Sequence, residues 1–297
     1  KHHDVTQFDA ACALSSEADA TILVMGLDLS IETEGLDRNS IGMPMIQDLF
    51  MSKIGMCSNG PVIVVVISGS SVDLTVPMEL PKVAGIFWAG YPGPVGGQAM
   101  ADLIFGHVSP SARLPHTFYP SSFADLVMMS DYRMESDPVD GYPGRSHRYY
   151  TGETLFHYGF GLTYSSFAVK VINGPTLTKA SASVIENAMA AGQLLLNVHV
   201  GTVVVNVTNT GTVASKFSTL LFVRPNPQGK FVGGKLTDFA KVNLQPGETS
   251  TVSMVVRATD LWEYGANPRD KYGNRVVLKG NWDFAVNDEW LGSFDVV

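Results

Sequence analysis

Three short apolar runs, each closed by glycine, constrain this chain more than any other feature. Ile22-Leu-Val-Met25 ends in Gly26, Pro61-Val-Ile-Val-Val-Val-Ile-Ser68 ends in Gly69, and Val83-Ala-Gly-Ile-Phe-Trp88 ends in Ala89-Gly90. Continuous runs of this kind, rich in β-branched residues, mark parallel strands buried on both faces, where both sides of the pleat must be apolar. Helical patterns lie between them. Ile46, Leu49, Phe50 and Ile54 share one helix face, with Pro44 near its start. Val95, Ala99, Met100, Leu103 and Ile104 make a second stripe, closed by Gly106 in a C-cap position. Phe8, Ala11 and Cys12 suggest a helix before the first run. The order α-β-α-β-β-α predicts part of a doubly wound α/β sheet. Three strands make a thin layer, so further strands from upstream of Lys1 are expected to complete it.

A different period governs the far half. Val203 to Val207 and Thr251 to Val256 alternate, as does Leu194 to Val200. Short strands also fit Thr219 to Val223, Phe239 to Leu244, Arg275 to Leu278, Asp283 to Val286 and Phe294 to Val297, with turn signals such as Asn209-Thr-Gly211 and Pro246-Gly247 between them. Seven or eight short strands at this spacing predict a β-sandwich of immunoglobulin or fibronectin type. Between the two patterns, Pro110, Pro115, Pro120, Pro138 and Pro143 punctuate an irregular stretch. The expected fold class is therefore α/β plus all-β: the C-terminal part of an α/β sandwich over 1–118, a connector over 119–167, and a fibronectin type III-like domain over 168–297.

Composition narrows the function classes. Of 297 residues, 45% are hydrophobic and 16% charged, which suits a well-packed core. A net charge of −8 lacks the basic face that nucleic acid requires. Neither Ile22–Met25 nor Val62–Ile67 approaches the roughly 20 apolar residues that span a bilayer, so no membrane partner is expected. No signal peptide opens the chain, and Lys1-His-His-Asp4 reads as an internal segment. Two cysteines, Cys12 and Cys57, exclude a disulfide framework and leave one bridge or two thiols open. The histidines, His2, His3, His107, His116, His147, His157 and His199, show no metal-ligand spacing with a carboxylate helper, and no metal or other cofactor is expected. Gly69-Ser-Ser71 lacks the second glycine of a nucleophile elbow, and Gly90 to Gly97 lacks the Gly-Lys-Ser/Thr of a phosphate loop.

Ligands of open α/β sheets bind beyond the carboxyl ends of the strands. The loop after the first run carries Asp28, Glu32, Glu34, Asp37 and Arg38 within eleven residues. The acids alone are equally compatible with a solvated loop in which Arg38 pairs Asp37 or Glu34.

The full segment Val24-Met-Gly-Leu-Asp-Leu-Ser-Ile-Glu-Thr-Glu-Gly-Leu-Asp-Arg-Asn-Ser-Ile-Gly-Met-Pro44 resembles the acid/base loop of family-3 glycoside hydrolases, nearest to their plant-type β-D-xylosidase branch. Other stretches resemble the same family in order: Ala84 to Gly106, Ser111-Ala-Arg-Leu-Pro115, Gly141-Tyr-Pro-Gly-Arg145, Tyr158-Gly-Phe-Gly-Leu-Thr-Tyr164, and Leu244 to Val252. Ser111-Ala stands where the family usually has Gly-Gly.

The resemblance implies a retaining, exo-acting β-glycosidase that releases terminal β-xylose from xylo-oligosaccharides. Such enzymes need two carboxyls about 5–5.5 Å apart, one a nucleophile and one an acid/base. Glu32 takes the acid/base position, with Glu34 as the alternative. In an extended segment these two would share a face. The nucleophile is expected on an N-terminal β/α-barrel that no part of this chain resembles. That barrel is thus an expected partner, in the same protein or as a separate processed chain, and the chain is expected to be inactive without it.

Asp37 and Arg38 are expected to pair and fix the loop. Asp28 either touches the sugar or caps the turn. Trp88 and Tyr91 either stack on the sugar or pack, and Tyr149 and Tyr150 pose the same choice. Asn206-Val-Thr208 is an N-glycosylation sequon in a strand pattern, which fits a secreted, extracellular or cell-wall protein if Asn206 faces outward. A β-glucosidase, a dual xylosidase/arabinofuranosidase and a non-catalytic carbohydrate-binding derivative are the competing readings.

Overall fold

The structure is a computed structural model and describes residues 5–44, 46–174, 180–193, 198–226, 233–261 and 279–296. The chain forms two compact units, one of Lys1–Phe105, His116–Asp131 and Glu153–His157, the other of Gly106–Pro115, Tyr132–Gly152 and Tyr158–Val297. Among the described residues no helix is long and apolar enough to cross a membrane.

In the first unit, strands β1 (Thr21–Gly26), β2 (Val62–Ile67) and β3 (Val83–Trp88) form a parallel sheet in the order β1-β2-β3. The pairing runs from Thr21↔Val62 to Gly26↔Ile67, and from Val62↔Val83 to Val66↔Trp88 with one register shift. All three carboxyl ends therefore open on one edge. The central strand is sealed on both faces: Val62, Val64, Val65 and Val66 are at most 2% exposed. The edge strand differs from the sequence expectation. Leu23 is buried, but Ile22 and Val24 are 44% and 60% exposed.

Helices α1 (Phe8–Glu17) and α2 (Gln47–Cys57) pack together. Cys12 and Cys57 form a disulfide between them, the rings of Phe8 and Phe50 lie 4.9 Å apart, and Lys53 pairs with Asp9 at 2.9 Å. The inward face of α2 is Met51, Ile54 and Gly55, while Leu49 of the expected stripe is 65% exposed. Helix α3 (Thr75–Glu79) was not foreseen. It has five residues and contains Pro77, too few for a period, and it follows a turn in which the Asp73 carboxylate accepts from the Thr75 amide (2.8 Å) and hydroxyl (2.6 Å). Helix α4 (Gly96–Ile104) follows β3 as expected, although Val95 just before it is 74% exposed. Phe118, fully buried, meets Trp88, His116 and Phe156 at ring-centroid distances of 5.0 to 6.4 Å. The irregular stretch divides between the two units, and its short helix α5 (Phe123–Leu126) lies in the first.

The second unit holds a one-turn helix α6 (Ser146–Tyr149), strand β4 (Phe167–Asn173), helix α7 (Ala180–Ala190) and strands β5 (His199–Asn209), β6 (Ser215–Asn226), β7 (Lys235–Leu244), β8 (Thr249–Arg257), β9 (Gly280–Val286) and β10 (Glu289–Val296). They make two antiparallel sheets, β10-β9-β6-β7 and β4-β5-β8. Alternate residues from both sheets share one core: Val203, Val205 and Val207 of β5 and Met254 and Val256 of β8 pack with Leu221, Val223 and Phe284 across the layer. Helix α7 interrupts the period-two region, and its Ile185 and Ala188 join that core. The expected strand over Arg275 to Leu278 and most of Leu194 to Val200 lie outside the described residues. Tyr149 and Tyr150 are 3% and 6% exposed, so both pack.

His147 carries a pH consequence for this unit. Its ring stacks on Tyr158 at 4.2 Å. Burial, aided by the neighbouring Arg148 charge and opposed by a hydrogen bond at Gly234, depresses its pKa from 6.5 to about 4. A depressed histidine binds its proton in the unfolded chain before it does so in the folded one. The stability it contributes is thus complete above pH 6.5 and is lost as pH falls toward 4, by up to roughly 3 kcal/mol. Urea midpoints measured across that window should fall, and His147→Gln should flatten the decline. Equal slopes for the two proteins would contradict this.

Candidate active site

The loops at the sheet's carboxyl edge bring together residues distant in sequence. The first loop leaves β1 at Gly26, whose amide and carbonyl are both held by the Gln47 side chain at 2.8 Å. Leu27 then hydrogen-bonds back to the carbonyl of Ile67 at 2.8 Å, fastening the loop to the end of β2.

Asp28 shapes the next turn. Its Oδ1 accepts from the Ser30 amide (2.8 Å) and hydroxyl (2.6 Å), and these bonds, the Ser30 hydroxyl foremost, lower its pKa. The amides of Ile31 and Glu32 donate to its backbone carbonyl. Thr33 and Leu36 exchange two backbone hydrogen bonds and close a tight turn, with Gly35 at φ 78° in its left-handed corner. Glu34 therefore sits exposed at a turn tip, and the extended arrangement that would have placed it beside Glu32 is not formed.

Glu32 turns inward. Arg38 Nε donates to its Oε2 at 2.9 Å, and the Ser70 hydroxyl donates to Oε2 at 2.9 Å and to Oε1 at 3.3 Å. The expected Asp37–Arg38 pair is replaced by this one. Asp37 stands exposed, whereas Arg38 is 12% exposed and its remaining donors meet Ser70 Oγ (2.9 Å) and the Ser71 carbonyl (3.2 Å). The turn at Thr33 to Leu36 reverses the chain and brings Arg38 back alongside Glu32. Two acceptors on the loop after β2, Ser70 Oγ and the Ser71 carbonyl, then hold the guanidinium there. The Glu32 side chain keeps 34% of its exposure, enough for a ligand to reach it.

The second and third loops complete the site. Trp88 Nε1 donates to Ser68 Oγ at 3.0 Å, and Ser68 Oγ donates to the Ser70 carbonyl at 2.7 Å. The Trp88 indole lies edge-on to His116 at 4.9 Å, where burial lowers the His116 pKa. Tyr91 is 54% exposed and lies over Gly69, where a Cβ would come within 2.8 Å of its ring. Asp73 anchors the end of the second loop. Burial works against its charge, but four hydrogen bonds from Ser121 and Thr75 outweigh burial and lower its pKa. The structure thus gathers Glu32, Trp88 and Tyr91 around one serine-rich loop, places Asp28 in the adjoining turn, and leaves Glu34 outside. Sequence reasoning missed Ser68, Ser70, Gln47 and Asp73. The run Gly69-Ser-Ser71 held the one visible trace, and only of Ser70.

A family model described as the glycosyl hydrolase family 3 C-terminal domain matches residues 3–164. The chain belongs to glycosyl hydrolase family 3. A β-xylosidase/α-L-arabinofuranosidase from Medicago sativa subsp. varia is 35% identical over 288 residues, covering 93% of this chain and 36% of that protein. β-D-xylosidase 3 of Arabidopsis thaliana is 38% identical over 286 residues, covering 92% and 36%. Among solved structures, a family-3 exo-β-xylosidase in complex with a xylobiose aziridine activity-based probe superposes with a TM-score of 0.86 at 26% identity, covering 99% of this chain and 38% of that one. The chain thus spans little more than a third of the length of the relatives it matches.

Proposed function

We propose that this family-3 chain is the acid/base-bearing part of a retaining exo-β-glycosidase that releases terminal β-xylose from xylo-oligosaccharides, with Glu32 as the acid/base. The observation that carries the reading is the state of the Glu32 carboxyl. It stands at the carboxyl edge of a parallel sheet, anchored through one oxygen by Arg38 and Ser70, with the other oxygen lightly held. In a double displacement the protonated carboxyl gives its proton to the glycosidic oxygen as that bond breaks. The resulting carboxylate then takes a proton from the water that hydrolyses the glycosyl-enzyme. The nucleophile is assigned to an N-terminal β/α-barrel, and the substrate pocket is shared with it. In this reading Tyr91 is the aromatic open to the sugar, Trp88 sets the serine loop in place, and Asp28 caps the turn. The second unit is read as a fibronectin type III-like domain.

The test is Glu32→Ala in the full-length enzyme with aryl β-xylosides. Turnover should fall most for poor leaving groups, and azide should restore part of it as glycosyl azide. Unchanged turnover would move the role to Glu34, and no turnover by the unsubstituted full-length protein would point to a non-catalytic carbohydrate-binding derivative. A dual xylosidase/arabinofuranosidase is the second reading, favoured by the name of the Medicago relative. Rates on aryl β-xylosides and aryl α-L-arabinofuranosides separate the two.

A secreted location and a glycan on Asn206 belong to the same proposal. The inward positions of β5 are Val203, Val205 and Val207, each 0% exposed, so Asn206 points outward, paired with Lys170 on β4 and Thr251 on β8. Its Oδ1 accepts from the Thr251 hydroxyl at 2.8 Å, leaving Nδ2 for the sugar. The Cys12–Cys57 bridge fits an oxidising compartment. Protein secreted from a eukaryotic host should lose mass on endoglycosidase treatment, and Thr208→Ala should abolish that difference. An unmodified Asn206 peptide from the secreted protein would end this part of the proposal.

A further inference from the structure

The hydroxyl of Ser70 has no task in a reaction that needs only an acid/base and a nucleophile, yet its surroundings fix it completely. Arg38 Nη2 donates into its oxygen at 2.9 Å, so its single proton points away from Arg38 and toward the Glu32 carboxyl. Its backbone is held as well. The Ser70 carbonyl accepts from Ser68 Oγ at 2.7 Å, and the Ser68 oxygen accepts the indole N–H of Trp88 at 3.0 Å. Ser68 is itself fully buried. Every proton along Trp88, Ser68, Ser70 and Glu32 is therefore committed to one direction.

We propose that Ser70 is a positioning residue that decides which oxygen of Glu32 carries the catalytic proton. The proposal rests on Glu32 being the acid/base. Oε2 accepts two short hydrogen bonds, one from a guanidinium and one from the Ser70 hydroxyl. An oxygen already receiving two donors is a poor site for a third proton. Among the described residues, Oε1 has only the 3.3 Å contact with the same hydroxyl. The proton therefore sits on Oε1, the oxygen free to reach the glycosidic bond. When Oε1 gives that proton to the leaving oxygen, the new carboxylate charge falls on donors already in place, and when water attacks, Oε1 takes a proton back. Ser70 and Arg38 keep their own protons throughout. Preorganised donors of this kind cost no reorganisation at the moment of transfer.

The experiment uses the full-length enzyme and aryl β-xylosides of graded leaving-group acidity, with aryl β-glucosides in their place if those are its substrates. Ser70→Ala and Ser70→Gly delete the hydroxyl, and Ser70→Thr keeps it. For a lost hydrogen bond to a charged group, kcat/KM should drop about tenfold on the poorest leaving groups. Little change is expected on a dinitrophenyl glycoside, which departs without an acid. The effect should lie in kcat rather than KM, and Ser70→Thr should restore most of it. A merely structural serine would lower all substrates alike. If both deletions lower every substrate equally, or none, while Glu32→Ala still discriminates by leaving group, the positioning role is wrong and the acid/base reading stands. If Glu32→Ala itself shows no discrimination, the acid/base reading fails and takes this proposal with it.

Discussion

Glu32→Ala in the full-length enzyme is expected to cut kcat/KM on poor leaving groups by about 10²- to 10⁴-fold, the usual worth of a positioned general acid. On activated aryl glycosides the first step should survive, and the slow step should become hydrolysis of the glycosyl-enzyme, which has lost its base. Azide needs no base, so it should enter the cavity left by the carboxylate and accelerate that second step. The fold should be little affected. Arg38 loses its carboxylate but keeps Ser70 Oγ and the Ser40 and Ser71 carbonyls as acceptors. Glu34→Ala and Asp37→Ala serve as controls, since both residues are exposed on the same loop, and both should retain near wild-type rates. A large loss at Glu34 with none at Glu32 would reverse the assignment.

Gly26→Ala is expected to be the most damaging single methyl in the first unit. Gly26 has φ 140°, which a residue with a Cβ rarely adopts. Its Cβ would stand 1.9 Å from the Ile67 carbonyl oxygen, on the backbone of the neighbouring strand, where no side-chain rotation can give way. The same backbone is gripped by Gln47 on one side and followed by the Leu27–Ile67 hydrogen bond on the other. Relief therefore means separating β1 from β2 at the base of the Glu32 loop. The loss should exceed about 4 kcal/mol, the range reserved for a backbone clash that cannot relax. Circular dichroism and urea denaturation would check it. A variant folding with its urea midpoint near wild type would show that β1 can shift without penalty.

Much was legible without coordinates because it depends on neighbours along the chain. The unbroken apolar run of β2 required a strand covered on both faces, and Val62, Val64, Val65 and Val66 are covered. The alternation Val203, Val205, Val207 required an inward face, which sets Asn206 outward. The acidic loop after β1 had to lie at the carboxyl edge of the sheet, because a parallel strand order leaves it nowhere else. Local signals weakened where a period was short or shared. Five residues of α3 with an internal proline carry no period, and α2 offered two plausible faces, of which packing chose Met51 over Leu49. Ile22 and Val24 read as buried by composition, yet they stand exposed on the edge strand.

The choice of partner within the loop could not be read in the same way. Glu32, Glu34 and Asp37 are all within reach of Arg38 in sequence, and only the reversal at Thr33 to Leu36 brings Glu32 to it. Ser70 lies 38 residues from Glu32, and its contact with that carboxyl exists only because β1 and β2 end side by side. Residue types and local periods therefore determined the elements, their order and the loop that holds the acids. Tertiary structure alone decided which acid turns inward and what holds it, because hydrogen-bond geometry between loops depends on strand adjacency, and strand adjacency is a property of the folded chain.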